Sequence, residues 1–251
     1  MNRRLLSGVL VVLLAGSADR GMDAAAVAPS AEMKTQVFRY LDSMDADEAA
    51  RTLQAMLSDP NATIDQAVRI IQTERDYAPQ PTGTIPDERV DVQGRAYHLA
   101  LSVPLTYQPA KGYGLVVCLH GAGFTGEAYL ERWQARLGED YVLACPTDPM
   151  GAWFTRGAEE LVLATIRSVQ RRFHIDPDRI FLTGMSNGGI GAWVIGMHHA
   201  PLFAGIAPMA SGLDNVLMPF LANLRSTPIY IIHGAKDQVM PVELSRAITE
   251  E

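Results

Sequence analysis

Cysteine is nearly absent from this chain: Cys118 and Cys145 are the two among 251 residues. That excludes a small disulfide scaffold, and their spacing matches no metal-binding pattern. Basic runs are missing outside the extreme N-terminus, and 21 Lys+Arg against 28 Asp+Glu leave a net charge of −7. Nucleic acid is therefore not an expected partner. Internal repeats and low-complexity tracts are also lacking. What is present, 48% hydrophobic and 20% charged residues, describes a medium globular protein and not a disordered or fibrous one.

Residues 1–18 have the form of an export signal. Arg3 and Arg4 supply a basic start, Leu5 to Ala15 an apolar run, and Ala15-Gly16-Ser17 a small-residue cleavage site. The run is too short to span a bilayer, although an uncleaved membrane anchor is the competing reading. A lipid-anchored form would need Cys after Leu14-Ala15-Gly16, where Ser17 stands. The expectation is an exported protein, periplasmic or extracellular, with no stable membrane span after cleavage. Export permits a disulfide, but both cysteines lie in apolar segments that predict neighbouring parallel strands, where bridge geometry is seldom met. Two buried thiols are expected.

Residues 30–77 read as two or three short helices. Asp45 to Glu48 and Thr63 to Gln66 form capping boxes, each opening an amphipathic run, through Leu53, Met56 and Leu57 and through Ile64, Val68 and Ile71. A lid, a docking element and a plain N-terminal extension are all possible roles, and the absence of any reactive constellation favours the extension. The stretch Ala78-Pro79-Gln80-Pro81-Thr82-Gly83 then breaks every periodicity and marks a boundary.

The second region, residues 88–251, begins with alternation. Val90 and Val92 precede Gln93-Gly94, and Tyr97, Leu99, Leu101 and Val103 follow it, which predicts an antiparallel hairpin. Apolar runs at 115–119, 142–145, 180–183, 204–207 and 229–232 then alternate with helical patterns near 127–137, 158–173, 188–198 and 214–224. Runs of that kind fit parallel strands buried on both faces, so the class is α/β with a mainly parallel sheet behind an N-terminal hairpin.

Three strand ends carry chemistry. Gly184-Met185-Ser186-Asn187-Gly188 is a G-x-S-x-G motif between an apolar strand and a helical pattern rich in small residues, where a tight turn would project the Ser186 hydroxyl above the sheet. Leu119-His120-Gly121-Ala122-Gly123 ends the first parallel strand in small residues whose amides can approach a ligand. An acyl-transfer enzyme must stabilise an oxyanion, and the Asn187 N–H paired with that of Ala122 or Gly123 would do so. His233-Gly234-Ala235-Lys236-Asp237 ends a third strand with a carboxylate, in the order Ser…Asp that a triad of this kind uses. Trp153, after another strand end, is read either as a pocket wall for substrate or as a packing aromatic. Nothing in this set requires a metal or a cofactor.

With those residues in view, the chain resembles a family. Residues 175–189, with Ile175-Asp176-Pro177-Asp178-Arg179 leading into the Ser186 motif, then Pro201-Leu202-Phe203-Ala204-Gly205, then His233 to Asp237, look like the exported α/β-hydrolases of the phospholipase/carboxylesterase-like and predicted-peptidase type. These are related to the dienelactone hydrolase and prolyl-oligopeptidase-like serine hydrolases. The resemblance covers about residues 88–251 and implies the α/β-hydrolase fold, Ser186 as nucleophile, Asp237 as triad acid, and Asn187 with Ala122 or Gly123 as oxyanion hole. The implied substrate is a small-molecule or polymer-linked carboxylic ester.

The family places its catalytic His a few dozen residues beyond the Asp, after a further helix and strand, and the sequence to Glu251 contains neither. The expectation is a hydrolase domain lacking its last strand and its general base. His98, His174, His198 and His199 are predicted away from the site, while His120 and His233 end active-site strands in His-Gly turns where shaping the backbone is the simpler role. A peptidase of the same fold and a non-catalytic binding module remain the alternatives.

Overall fold

A computed structural model describes residues 29–43, 45–72 and 75–250. The export signal expected over residues 1–18 lies outside them. The chain divides into two compact units, Met1–Asp76 and Tyr77–Glu251.

Three helices make up the described part of the first unit: α1 (Ala31–Asp42), α2 (Ala46–Ser58) and α3 (Ile64–Gln72). Both expected caps form. The Asp45 carboxylate accepts the Glu48 N–H at 2.7 Å, while Thr63 and Gln66 cap each other at 3.2 and 3.1 Å. Met33, Val37, Met56, Ala67 and Ile70 bury together in a small core. The stripe of α3 thus centres on Ala67 and Ile70, with Ile64 and Ile71 on its margins, and Leu57 of α2 is exposed.

The second unit opens with the predicted hairpin, β1 (Gly83–Val92) and β2 (Arg95–Val103). Its two-residue turn places Gln93 at φ 54° and Gly94 at φ 80°, the left-handed pair that matches the strand twist. Then follow β3 (Tyr113–Leu119), α4 (Gly126–Gln134), β4 (Tyr141–Pro146), α5 (Arg156–Arg172), β5 (Ile175–Met185), α6 (Asn187–His198), β6 (Gly205–Met209) and α7 (Glu243–Thr249). The six strands form one sheet in the order β1-β2-β4-β3-β5-β6, antiparallel at the hairpin and at β2–β4 and parallel elsewhere.

Every residue of β3 is buried, as its unbroken apolar run required. Alternation still sorts its side chains between two cores. Leu115, Val117 and Leu119 join the side holding Leu161, Trp193 and Trp153, whereas Val116 and Cys118 join the side holding Tyr129, Leu130 and Cys145. On the outer strand β1, a register shift between Ile85 and Glu88 surrounds Pro86 and Asp87, which interrupts an edge that other chains could otherwise pair with.

Two expectations are corrected. The pattern near 214–224 forms no α-helix but a 3-10 helix, Met218–Leu224. Asp214 bonds the amides of Val216 and Leu217, and Pro219 offers no N–H to an α-helical ladder. The run at 229–232 makes two isolated parallel bridges to β6, Ile206 to Ile229 and Met209 to Ile232, instead of a full strand. Nothing among the described residues pairs with its outer side, and Ile229, Tyr230 and Ile232 are exposed.

Candidate active site

Ser186 joins β5 to α6 with φ 56° and ψ −121°, a conformation that a residue with a Cβ adopts only when its surroundings impose it. They do so by close packing. A Cβ on Gly184 would overlap the backbone of Gly188, and one on Gly188 would overlap the carbonyl of Leu119. The elbow is thus wedged between its own helix and the end of β3, and the Ser186 N–H donates to the Met209 carbonyl at 3.0 Å. The half-buried Ser186 side chain lies beside the loop after β3, on the far side of Gly121.

That loop is held from beneath by His120. Its ring is buried, with Nδ1 donating to the Gly121 carbonyl at 2.8 Å and Nε2 accepting the Asp148 N–H at 3.2 Å. These bonds fix one neutral tautomer, and burial lowers the pKa of the imidazole. The Trp153 indole donates to the His120 carbonyl at 2.7 Å and is wholly buried, so it braces the same loop. Asp148 closes the assembly by accepting the Ala152 N–H at 2.8 Å. The consequence is a braced loop whose amides are free. Among the described residues no acceptor meets the N–H of Ala122, Gly123 or Asn187.

Asp237 shares the sheet edge with Ser186. Met185, Met209 and Ile232 are in register across β5, β6 and the 229–232 segment. Ser186 lies one residue beyond that row and Asp237 five beyond it. The amides of Met240 and Val239, each donating to Asp237 Oδ1 at 2.9 Å, hold the carboxyl below its usual range.

None of the six histidines is hydrogen-bonded to Ser186. His233 is tied up by Met240 O at 2.7 Å from Nε2 and Ser245 Oγ at 2.6 Å from Nδ1. His98 pairs with Asp87, His174 bonds Pro109 O, and His198 and His199 share Glu159. Cys118 and Cys145 are free and buried, and burial together with the Cys145 thiol pushes Cys118 well up. Among the described residues no group of three or more His, Cys, Asp or Glu is arranged to hold a metal ion.

Sequence reading missed Asp148, which acts through its backbone across 28 residues from His120, and Tyr129, whose hydroxyl reaches Gly121 from α4. Neither position carries a local signal, since both are brought to the site by strand order.

No family model matches the chain. It is similar to a probable feruloyl esterase C of Aspergillus terreus, at 26% identity over 61% of this chain and 58% of that protein. It is also similar to an acyl-protein thioesterase 1 of Gibberella zeae, at 27% identity over 59% of this chain and 80% of the relative. Among solved structures, a thermostable esterase superposes with a TM-score of 0.57 at 28% identity, covering 67% of this chain and 51% of its own. The chain therefore spans little more than half the length of two of these three. Elbow, strand order and relatives agree: the second unit has the α/β-hydrolase fold.

Proposed function

We propose that this protein is an exported serine hydrolase of carboxylic esters. The observation that carries the reading is the forced Ser186 backbone beside three amides without acceptors. In that arrangement the Ser186 oxygen attacks the ester carbonyl, the Asn187 N–H with that of Ala122 or Gly123 receives the oxyanion, and the alcohol leaves an acyl-serine. Water then attacks the acyl carbon, returns Ser186 and releases the acid. Asp237, held ionised, is suited to orient an imidazole and to stabilise its charged form. None of the six histidines is hydrogen-bonded to Ser186, and the reading takes the general base to be an imidazole that Asp237 orients.

The relatives that support the ester class include a poly(3-hydroxyalkanoate) depolymerase C of Paucimonas lemoignei, which is 31% identical over 114 residues. Small and polymer-linked esters therefore both come into scope, with no cofactor assigned. Localisation outside the cytoplasm rests on the signal at residues 1–18.

The test is a fluorophosphonate probe with mass analysis, alongside p-nitrophenyl acetate turnover by the protein and by its Ser186→Ala variant. Phosphonylation confined to Ser186, with turnover lower by about 10⁴ in the variant, is the expected result. A Ser186 that never reacts would mark a binding module, and the reading would fall.

A further inference from the structure

Tyr129 is 2% exposed, and its hydroxyl has no hydrogen-bond partner. A buried phenol left in that state is costly to folding, and buried polar groups are almost always satisfied. The place of this one is specific. A side chain built on Gly121 would meet the Tyr129 hydroxyl at 3.2 Å, the Met185 carbonyl oxygen at 3.4 Å and the Ser186 Cβ at 3.7 Å. The unspent hydroxyl therefore sits at the joint between the oxyanion loop and the nucleophile elbow. Its ring stands edge-on to His120 and Phe124, at 6.3 and 5.9 Å between centroids, with Arg132 5.5 Å from its centroid. Burial raises its pKa, so the phenol stays protonated, and the Gly121 amide faces its oxygen without reaching hydrogen-bonding geometry.

We propose that Tyr129 is a positioning residue whose hydroxyl takes up the Gly121 amide when a tetrahedral oxyanion draws residues 121–123 against the elbow. The bond is absent at rest and present in the transition state, which is the condition under which a hydrogen bond accelerates a reaction instead of tightening substrate binding. An orphan hydroxyl kept at this joint is then accounted for by its use in a second state of the loop.

This rests on the ester-hydrolase reading, and the experiment separates the two. Tyr129→Phe and the unchanged sequence are compared in the full-length polypeptide for melting temperature, for phosphonylation rate at Ser186, and for kcat and KM on p-nitrophenyl acetate. The expected variant has an unchanged or slightly higher melting temperature, KM within twofold, and kcat and phosphonylation rate both lower by about tenfold, short of the 10²–10³ lost with a direct oxyanion donor. Unchanged kcat and phosphonylation overturn the proposal. So does a lower melting temperature at unchanged kcat, which would show a hydroxyl satisfied by a structural water. Tyr129→Leu is the control for lost packing, expected to lower the melting temperature where Phe does not. If Ser186 of the unchanged sequence fails to react at all, the hydrolase reading itself has failed and the proposal falls with it.

Discussion

The Nε2 of His120 accepts the backbone N–H of Asp148 at 3.2 Å, tying the loop after β3 to the loop after β4 directly beneath the candidate oxyanion amides. Because Nδ1 simultaneously donates to Gly121, this ring is a two-sided brace in its neutral form.

Protonation places a hydrogen on Nε2 facing the Asp148 N–H and breaks the brace. The folded state lowers the His120 pKa below its ordinary 6.5, so the unfolded chain binds the extra proton first. The stability associated with the brace is therefore complete above about pH 6.5 and is lost as pH falls from there toward the lowered folded value. Denaturant titrations from pH 8 to 5 should show this loss, and His120→Gln should flatten it. An equal slope in that variant would mean another group is responsible.

Ser186→Gly should abolish turnover while raising stability. Glycine adopts φ 56° without strain, which relieves about 1 kcal/mol and corresponds to roughly 2–4 °C in melting temperature for a domain of this size. A fall in melting temperature would show that the elbow is not strained.

Gly188→Ala should destabilise by more than about 3 kcal/mol, since its Cβ would enter the carbonyl of Leu119 at the end of the central strand. Gly157→Ala, at a position with open space on α5, is the comparison and should leave the melting temperature unchanged or higher. Equal melting temperatures for the two variants would contradict the packing described for the elbow.

Asp237→Asn keeps an oxygen for the Val239 and Met240 amides, so the turn and the melting temperature should survive. Ester turnover should nevertheless drop by about 10³–10⁴, because an amide neither orients the required tautomer nor stabilises an imidazolium. Retained activity with an intact fold would remove Asp237 from the catalytic set.

Reduction should change nothing. Cys118 and Cys145 are unlinked, so dithiothreitol should leave the melting temperature unaltered, and a thiol reagent should modify neither cysteine until the protein unfolds.

Much of this architecture is written in local pattern. The hairpin at Gln93-Gly94, the buried run of β3, the helix caps at Asp45 and Thr63 and the elbow at Ser186 each follow from residues within a few positions of one another, because turn chemistry and side-chain periodicity are short-range. The 229–232 run shows where that ends. Its composition is that of a strand, yet whether it forms a continuous ladder depends on its register with β6, which it meets only at two isolated bridges. Likewise Met218–Leu224 has helical periodicity, but Pro219 and the Asp214 turn decide its hydrogen bonding. The roles of Trp153, Asp148 and Tyr129 belong wholly to the tertiary structure. Trp153 and Asp148 bond His120 across 33 and 28 residues, the Tyr129 hydroxyl abuts the facing loop at Gly121, and only the order of β4, β3 and β5 in the sheet brings those atoms together.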